Sequence, residues 1–307
     1  METSKKKNIK QNARLLRKQL KNTDDTCAIE KTTWDLFSDH GILYSFPDSV
    51  FPAGTTFYRV RKAYASELIG TNDCWNPPKN IVNLNRFNQK NESILYISYK
   101  HPESAILEAK MDYWDRFLLI RYESIKQIDA KFINKVISKE SKFKVVKGVN
   151  IINRVIRNTI MSAGNELVYH ATNTIKKKIN FNDVNSKEES SRALLYSSVI
   201  DSKYLNMAMN PEYAKDSLVI KDVKYCVNFF GYYGIGSSVY VVNDIFIKDE
   251  KIGFSIPKHD VSIETTPQVI LDVNDIAKEL LVHLNNGDTK KADIERKRNL
   301  TLNDSRF

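Results

Sequence analysis

Three stretches of this 307-residue chain set charged, hydroxyl or amide side chains beside apolar runs where a plain core strand would carry none. In the first, Phe57-Tyr58-Arg59-Val60-Arg61, the two arginines occupy alternate positions, and a strand projects alternate positions to one face. Arginine offers a planar fork of donors matched to phosphate oxygens, so such a pair could hold a pyrophosphate; a solvated strand face would show the same spacing. The second stretch runs from Pro77 through Arg86 and Tyr96 to Glu108. On a helix Glu108 shares a face with Ser104, Ala105 and Met111, small or apolar company for a carboxylate, although an ordinary boundary glutamate can sit there too. In the third, Leu194-Leu195-Tyr196-Ser197-Ser198-Val199 is followed by Leu205-Asn206-Met207-Ala208-Met209, an apolar strand ending in hydroxyls and a second opening with an amide. Serines at strand ends commonly serve turns, so Ser197 and Ser198 carry that reading as well.

These residues need a scaffold, and the pattern supplies one. Runs of β-branched and aromatic residues predict strands at Thr55 to Val60, Ile94 to Ser98 and Phe117 to Tyr122, and the carboxy-terminal half reads as further strands at Ala193 to Val199, Leu205 to Met209, Leu218 to Ile220, Lys224 to Phe230 and Val239 to Phe246. Helical spacing predicts an amphipathic helix over Asn8 to Lys21, a second over Ile29 to Phe37, and a third in which Pro102 takes the first position and Glu103 to Trp114 follows without Gly or Pro. A long helix from Asn153 to Ile179, broken near Gly164, and a last one over Asp275 to Asn285 complete the set. Asn182 to Ser191, polar and Ser-rich, reads as an insertion. The order predicts an α+β fold with a central, mixed or largely antiparallel sheet and flanking helices.

Composition narrows the class. With 42% hydrophobic and 27% charged residues, 15 Tyr and 14 Phe, the chain is too apolar and aromatic to stay unfolded. No stretch reaches the roughly 18 to 20 apolar residues of a membrane span, and the charged start lacks the apolar core of a secretory leader, so the expectation is a cytoplasmic protein. Cys27, Cys74 and Cys226 and the five histidines are scattered without ligand spacing, so neither disulfide nor metal is expected. The net charge of +10 is concentrated at the ends: residues 1–21 hold eight Lys or Arg against Glu2, and residues 290–298 hold five against two acids. The body between is neutral on balance, so any contact with nucleic acid is expected through the basic ends.

In order and in wording, the three stretches resemble the RES family, named for its Arg, Glu and Ser, whose members include toxins of bacterial toxin–antitoxin pairs. The likeness covers Phe57 to Met209 and is densest from Pro77 to Glu108, which looks like the family's Pro-Pro, Arg-Phe-Asn, Leu-Tyr-x-Ser and Ala-Ile-x-Glu sequence. It implies Arg59, Glu108 and Ser198 as catalytic residues, with Arg59, Arg86, Tyr96 and Asn206 holding the substrate. Tyr169-His170-Ala171-Thr172 looks like the start of the helix that precedes the serine strand. Asn85 stands where a Gly is usual and Ser197 where a Pro is common, and the chain between Thr172 and Tyr196 is longer than the pattern. A second placement, Gly234-Ile235-Gly236-Ser237-Ser238-Val239 with Asn243, competes for the serine.

The resemblance further implies an ADP-ribosyltransferase-like core over residues 51–246, flanked by a basic helical extension, 1–50, and a carboxy-terminal extension, 247–307. It implies NAD as substrate, nicotinamide released by hydrolysis or phosphorolysis, no metal, and an antitoxin protein as partner. Two other activities share these features: transfer of ADP-ribose to a macromolecule, and non-catalytic nucleic-acid binding through the basic ends.

Overall fold

The computed structural model describes residues 2–38, 44–63, 71–111, 115–138, 143–161, 166–181, 191–228, 239–248 and 251–255. The expected helix at 275–285, the rival serine run at 234–238 and all but Ser191 of the expected insertion lie outside the described residues.

The chain divides into two compact units. The first, residues 1–60, 69–108 and 120–222, begins with α1 (Glu2–Asn22) and α2 (Thr26–Phe37). Ile9, Ala13, Leu16 and Leu20 recur at helical spacing and are buried, so α1 docks along one apolar face. Asp25 caps α2, its carboxylate accepting from the Ala28 N–H at 2.9 Å. α4 (Phe143–Val155), starting ten residues before the expected boundary, runs into a π turn, Ile156–Ile160, and α5 (Glu166–Lys178) follows. These helices bury their apolar faces together with Leu194, Tyr196, Ala208 and Phe87 in one core cluster.

The sheet of this unit carries short strands β2 (Asp48–Phe51) and β6 (Ile128–Phe132) at one edge, then β8 (Ala193–Ser197), β9 (Leu205–Met209), β4 (Leu95–Tyr99), β3 (Thr56–Lys62), β5 (Arg116–Ser124) and β10 (Leu218–Asn228). β3, β5 and β10 belong to it through 56–60, 120–124 and 218–222. β2 with β6, β8 with β9, β9 with β4 and β4 with β3 pair antiparallel, while β6 with β8 is parallel. The result is an α+β fold with a mixed sheet, as the order of elements predicts. On the face that carries Phe57, the rings of Phe51, Phe57 and Tyr99 pack together with centroids 5.0 to 5.9 Å apart, Phe51 and Tyr99 edge to face and the other pairs tilted. β1 (Tyr44–Ser45) and β7 (Ile137–Ser138) form a separate two-stranded ribbon, and α6 (Pro211–Ser217) connects β9 to β10.

The second unit comprises 61–68, 109–119 and 223–307. Its described part holds the remainder of β10 with β11 (Val239–Lys248) and β12 (Lys251–Ser255), a consecutive antiparallel arrangement with a register shift between Tyr225 and Cys226. Lys62 and Asp115 are ion-paired at 2.7 Å beside a backbone bond from Ala63 N–H to the Arg116 carbonyl.

One helix departs clearly from expectation. α3 spans Pro102–Glu108 instead of reaching Trp114, because Lys110 turns the chain at φ 48°, a left-handed conformation a helix cannot continue through. No described helix is long and apolar enough to cross a membrane.

Candidate functional site

The sheet register lines up four polar side chains. Tyr58 on β3 faces Ser98 on β4, Ser98 faces Asn206 on β9, and Asn206 faces Tyr196 on β8. Residues opposite one another on adjacent strands share a face, so these four form one row across the sheet. After β4 the chain reverses through Lys100, at φ 61°, and α3 folds back against the strand it has just left. This brings Ser104 and Glu108, one helical turn apart, to the row.

The outcome is a directed chain of hydrogen bonds. Ser98 Oγ donates to Asn206 Oδ1 at 2.6 Å and Ser104 Oγ donates to the same oxygen at 3.2 Å. With its oxygen occupied by two hydroxyls, the Asn206 amide can present only its NH₂ group on the other side, and Nδ2 donates to Glu108 Oε1 at 2.8 Å. Asn206, Ser98 and Ser104 are buried and Glu108 is half-buried. A carboxylate on the last residue of a helix meets the negative end of the helix dipole, a penalty of about 0.3–1 kcal/mol; the charge-assisted bond from Asn206, worth about 1.5–3 kcal/mol, outweighs it.

A second buried cluster lies in the same unit. Arg86 is only 6% exposed, and its Nη1 donates to the Ile160 carbonyl at 3.3 Å. That carbonyl ends the π turn, whose closing bond runs from Met161 N–H five residues back to Ile156 at 2.7 Å. The Tyr169 ring centroid lies 6.0 Å from the Arg86 guanidinium carbon, and the Arg86 backbone is pinned by Asn85 Oδ1 and by the Thr172 hydroxyl. Among the described residues no carboxylate pairs with the Arg86 guanidinium, so its charge is buried with one carbonyl, the Met161 sulfur at 4.0 Å and one ring face for company. Next to it, the Tyr96 hydroxyl accepts from Phe87 N–H at 3.0 Å and donates to Asn88 Oδ1 at 2.9 Å. Burial drives the Tyr96 and Tyr196 hydroxyls well above the ordinary tyrosine range. For Tyr196 the Glu108 charge pushes the same way and Arg86 opposes it, so both charges lie within electrostatic reach of this one ring.

Arg59 takes a third position. β3 pairs with β4 at Phe57–Tyr99 and Tyr58–Ser98, and past that point Arg59 and Tyr96 both line a cavity of about 260 Å³ together with Pro77, Ile81, Asn85 and Ile94. Its guanidinium donates to the Trp75 carbonyl, and its charge partly offsets the burial that raises the Tyr122 hydroxyl. Ordinary small-molecule sites run about 300–1,000 Å³, so this hollow has room for one ring system and not for a whole dinucleotide. Glu108 and Arg86 are not among its lining residues.

Of the sequence-derived site residues, then, Glu108 and Asn206 are in direct contact, Glu108, Arg86 and Tyr96 all lie within electrostatic reach of Tyr196, and Arg59 shares a wall with Tyr96. Ser198 is placed differently. Its Oγ accepts from the Ile200 and Asp201 N–H groups at 3.2 and 3.3 Å, and its own N–H donates to the Tyr204 carbonyl, so it shapes the turn between β8 and β9. The hydroxyls beside Glu108 and Asn206 are Ser98 and Ser104; the helical spacing puts Ser104 on the Glu108 face, but neither serine is expected in the site from sequence. Asn243, from the rival placement, pairs with Tyr225 in the second unit. Ser198→Ala is therefore expected to lower stability by about 1 kcal/mol through the turn and to leave any turnover within about two-fold. A thermal melt beside an activity assay checks this, and a hundred-fold loss of activity at unchanged stability would return Ser198 to the chemistry.

Among the described residues no group of three or more His, Cys, Asp or Glu could hold a metal ion. No family model matches the sequence, and no curated protein or solved structure matches it either.

Proposed function

We propose that this protein cleaves the bond between nicotinamide and ribose in NAD, on an ADP-ribosyltransferase-like core. The observation that carries the reading is the carboxylate of Glu108, held by the Asn206 amide whose oxygen two serines occupy, in the same compact unit as a buried guanidinium that has no carboxylate partner among the described residues. A glutamate serving only solubility needs no such support. Burying an uncompensated cation costs several kcal/mol, and an anionic ligand such as a pyrophosphate would offset that cost at Arg86.

The roles follow from the chemistry of the substrate. Nicotinamide leaves as a neutral molecule from a cationic ring, so no strong general acid is required. What builds up as the bond breaks is positive charge on the ribosyl carbon. Glu108 stabilises that charge and holds a ribose hydroxyl, and Asn206 keeps the carboxylate aimed. Water or phosphate then completes the bond to ribose. With water the products are nicotinamide, ADP-ribose and a proton. Arg59 contacts phosphate oxygens at the cavity mouth and Tyr96 offers a ring to the base.

Incubation of the purified protein with NAD, following free nicotinamide by chromatography with and without inorganic phosphate, tests the reading. Release that is faster with phosphate identifies phosphorolysis, and radiolabel from NAD appearing on protein or nucleic acid identifies transfer to a macromolecule. No release above the buffer control sinks the proposal. Arg59→Ala is expected to raise KM for NAD at least ten-fold, about 1.4 kcal/mol, while Arg61→Ala changes it less. Equal effects would mean that the wrong arginine of the pair has been chosen. Acting on cytoplasmic NAD, such an enzyme would need restraint in its own cell, which fits a toxin held by an antitoxin protein. Expression without that partner is expected to lower cellular NAD before growth stops.

A further inference from the structure

The docked position of α1 separates its side chains into sectors. With Ile9, Ala13, Leu16 and Leu20 turned into the core, the helical repeat places Lys10, Arg14, Arg17, Lys18 and Lys21 together within an arc of about 100° on another side. Lys10, Arg14, Lys18 and Lys21 are exposed and Arg17 is half-buried. Asn8, Gln11, Asn12, Gln19 and Asn22 supply most of what remains, and between Lys5 and Asn22 the helix has no acidic residue. Among the described residues none of the five cations is ion-paired to a carboxylate, whereas eight other lysine or arginine pairs are formed elsewhere, Lys176–Glu92 and Lys221–Glu123 among them. From Lys10 to Lys21 the stripe is about 16 Å long at 1.5 Å per residue.

We propose that this stripe is a docking surface for the phosphate backbone of duplex DNA, bound without regard to base sequence. The inference is independent of the reading given to Glu108 and Arg86. Three features of α1 select the occupant. Its apolar face is already spent on α2 and α4, leaving Leu15 as the one exposed large apolar residue among its described side chains, too little for the apolar face that an interfacial helix must insert into a membrane surface. The helix contains no aromatic residue, so it offers no platform for the unstacked bases of a single strand. What it offers is a rigid, single-sign row of cations flanked by amides, which suits a polyanion of regular, high charge density. Duplex DNA carries one charge per roughly 1.7 Å of axis and gains most from counterion release. Its major groove, about 12 Å wide, admits a helix with cations reaching the bordering phosphates, whereas the A-form groove of duplex RNA is too narrow.

The test uses the full chain and a fluorescently labelled 24-base-pair duplex in two unrelated sequences, with anisotropy followed from about 50 to about 200 mM salt. Both duplexes are expected to bind alike, with a log–log salt slope of about −4 to −5 for five phosphate contacts. Lys10→Gln/Arg14→Gln/Lys18→Gln should weaken binding at least ten-fold at the low salt and flatten the slope by about three, and Arg14→Gln alone by about one. Glutamine keeps helix propensity, so circular dichroism and NAD turnover should be unchanged. Lys31→Gln, on the exposed side of α2, serves as the control that leaves the slope alone. Absence of binding at the low salt, or an unchanged slope in the triple variant, overturns the proposal. Tighter binding at equal salt to a duplex RNA of the same length, to polyglutamate or to anionic phosphatidylserine vesicles overturns it equally, and each of these names the occupant that replaces DNA.

Discussion

Glu108→Gln is expected to slow nicotinamide release from NAD by about 100- to 1,000-fold, a loss of roughly 3–4 kcal/mol of transition-state stabilisation, with NAD affinity held within a few-fold. The substitution is close to isosteric, and the glutamine carbonyl can still accept from Asn206 Nδ2, so the hydrogen-bonded row survives. What disappears is the negative charge that opposes the growing ribosyl cation. Steady-state kinetics with a melting curve on the same preparation separate these effects. A variant with wild-type turnover would remove Glu108 from the chemistry, and a variant that loses its fold would show the carboxylate to be structural. Asn206→Ala should fall between the two proteins, since it keeps the charge and loses its aim.

Raising the pH above about 10 is expected to unfold the protein steeply. Tyr122 and Tyr196 are buried and Tyr96 partly so, and desolvation lifts each hydroxyl well above the ordinary tyrosine value. The sign follows from linkage. The unfolded chain ionises these tyrosines near pH 10 while the folded one does not, so the unfolded state binds fewer protons and stability falls as pH rises. The stability they confer is fully present below pH 10, and each group then loses about 1.4 kcal/mol per pH unit, about 4 kcal/mol for three together. Against a typical total of about 5–15 kcal/mol, this exhausts the fold within a few pH units. Tyrosinate absorbance should therefore jump with the loss of secondary structure. A smooth titration of all the tyrosines near pH 10 in a still-folded protein would contradict the burial.

How far the sequence announces all this depends on whether a signal is local. The short apolar run Leu205–Met209 is predicted as a strand to the residue, and the helical spacing of Ile9, Ala13, Leu16 and Leu20 is the face that docks. Leu218–Ile220 and Lys224–Phe230 read as two strands because Lys221 and Asp222 look like a polar break. In the fold they are one strand, with Lys221 paired to Glu123 at 2.9 Å and Asp222 to Arg121, partners about a hundred residues away. The early end of α3 is likewise set outside the segment, since Ala109, Lys110 and Met111 contain no helix breaker. α6 was legible and missed: Asn210 accepts from the Glu212 and Tyr213 N–H groups and Pro211 takes the first position, an ordinary start signal. At the site, Glu108 and Asn206 carry residue types that invite notice, whereas Ser98 and Ser104 gain meaning only once β4, α3 and β9 are adjacent.

The bond between Asn206 and Glu108 joins residues 98 positions apart. On a ribosome adding about 5–20 residues per second, the acid therefore emerges roughly 5–20 seconds ahead of the amide that steadies it. Until β9 has been translated and slotted between β4 and β8, the carboxylate has no fixed direction. A growing chain that has passed Glu108 but not yet Asn206 thus lacks the aimed carboxylate, so the chemistry proposed for it waits on the strand that completes the row.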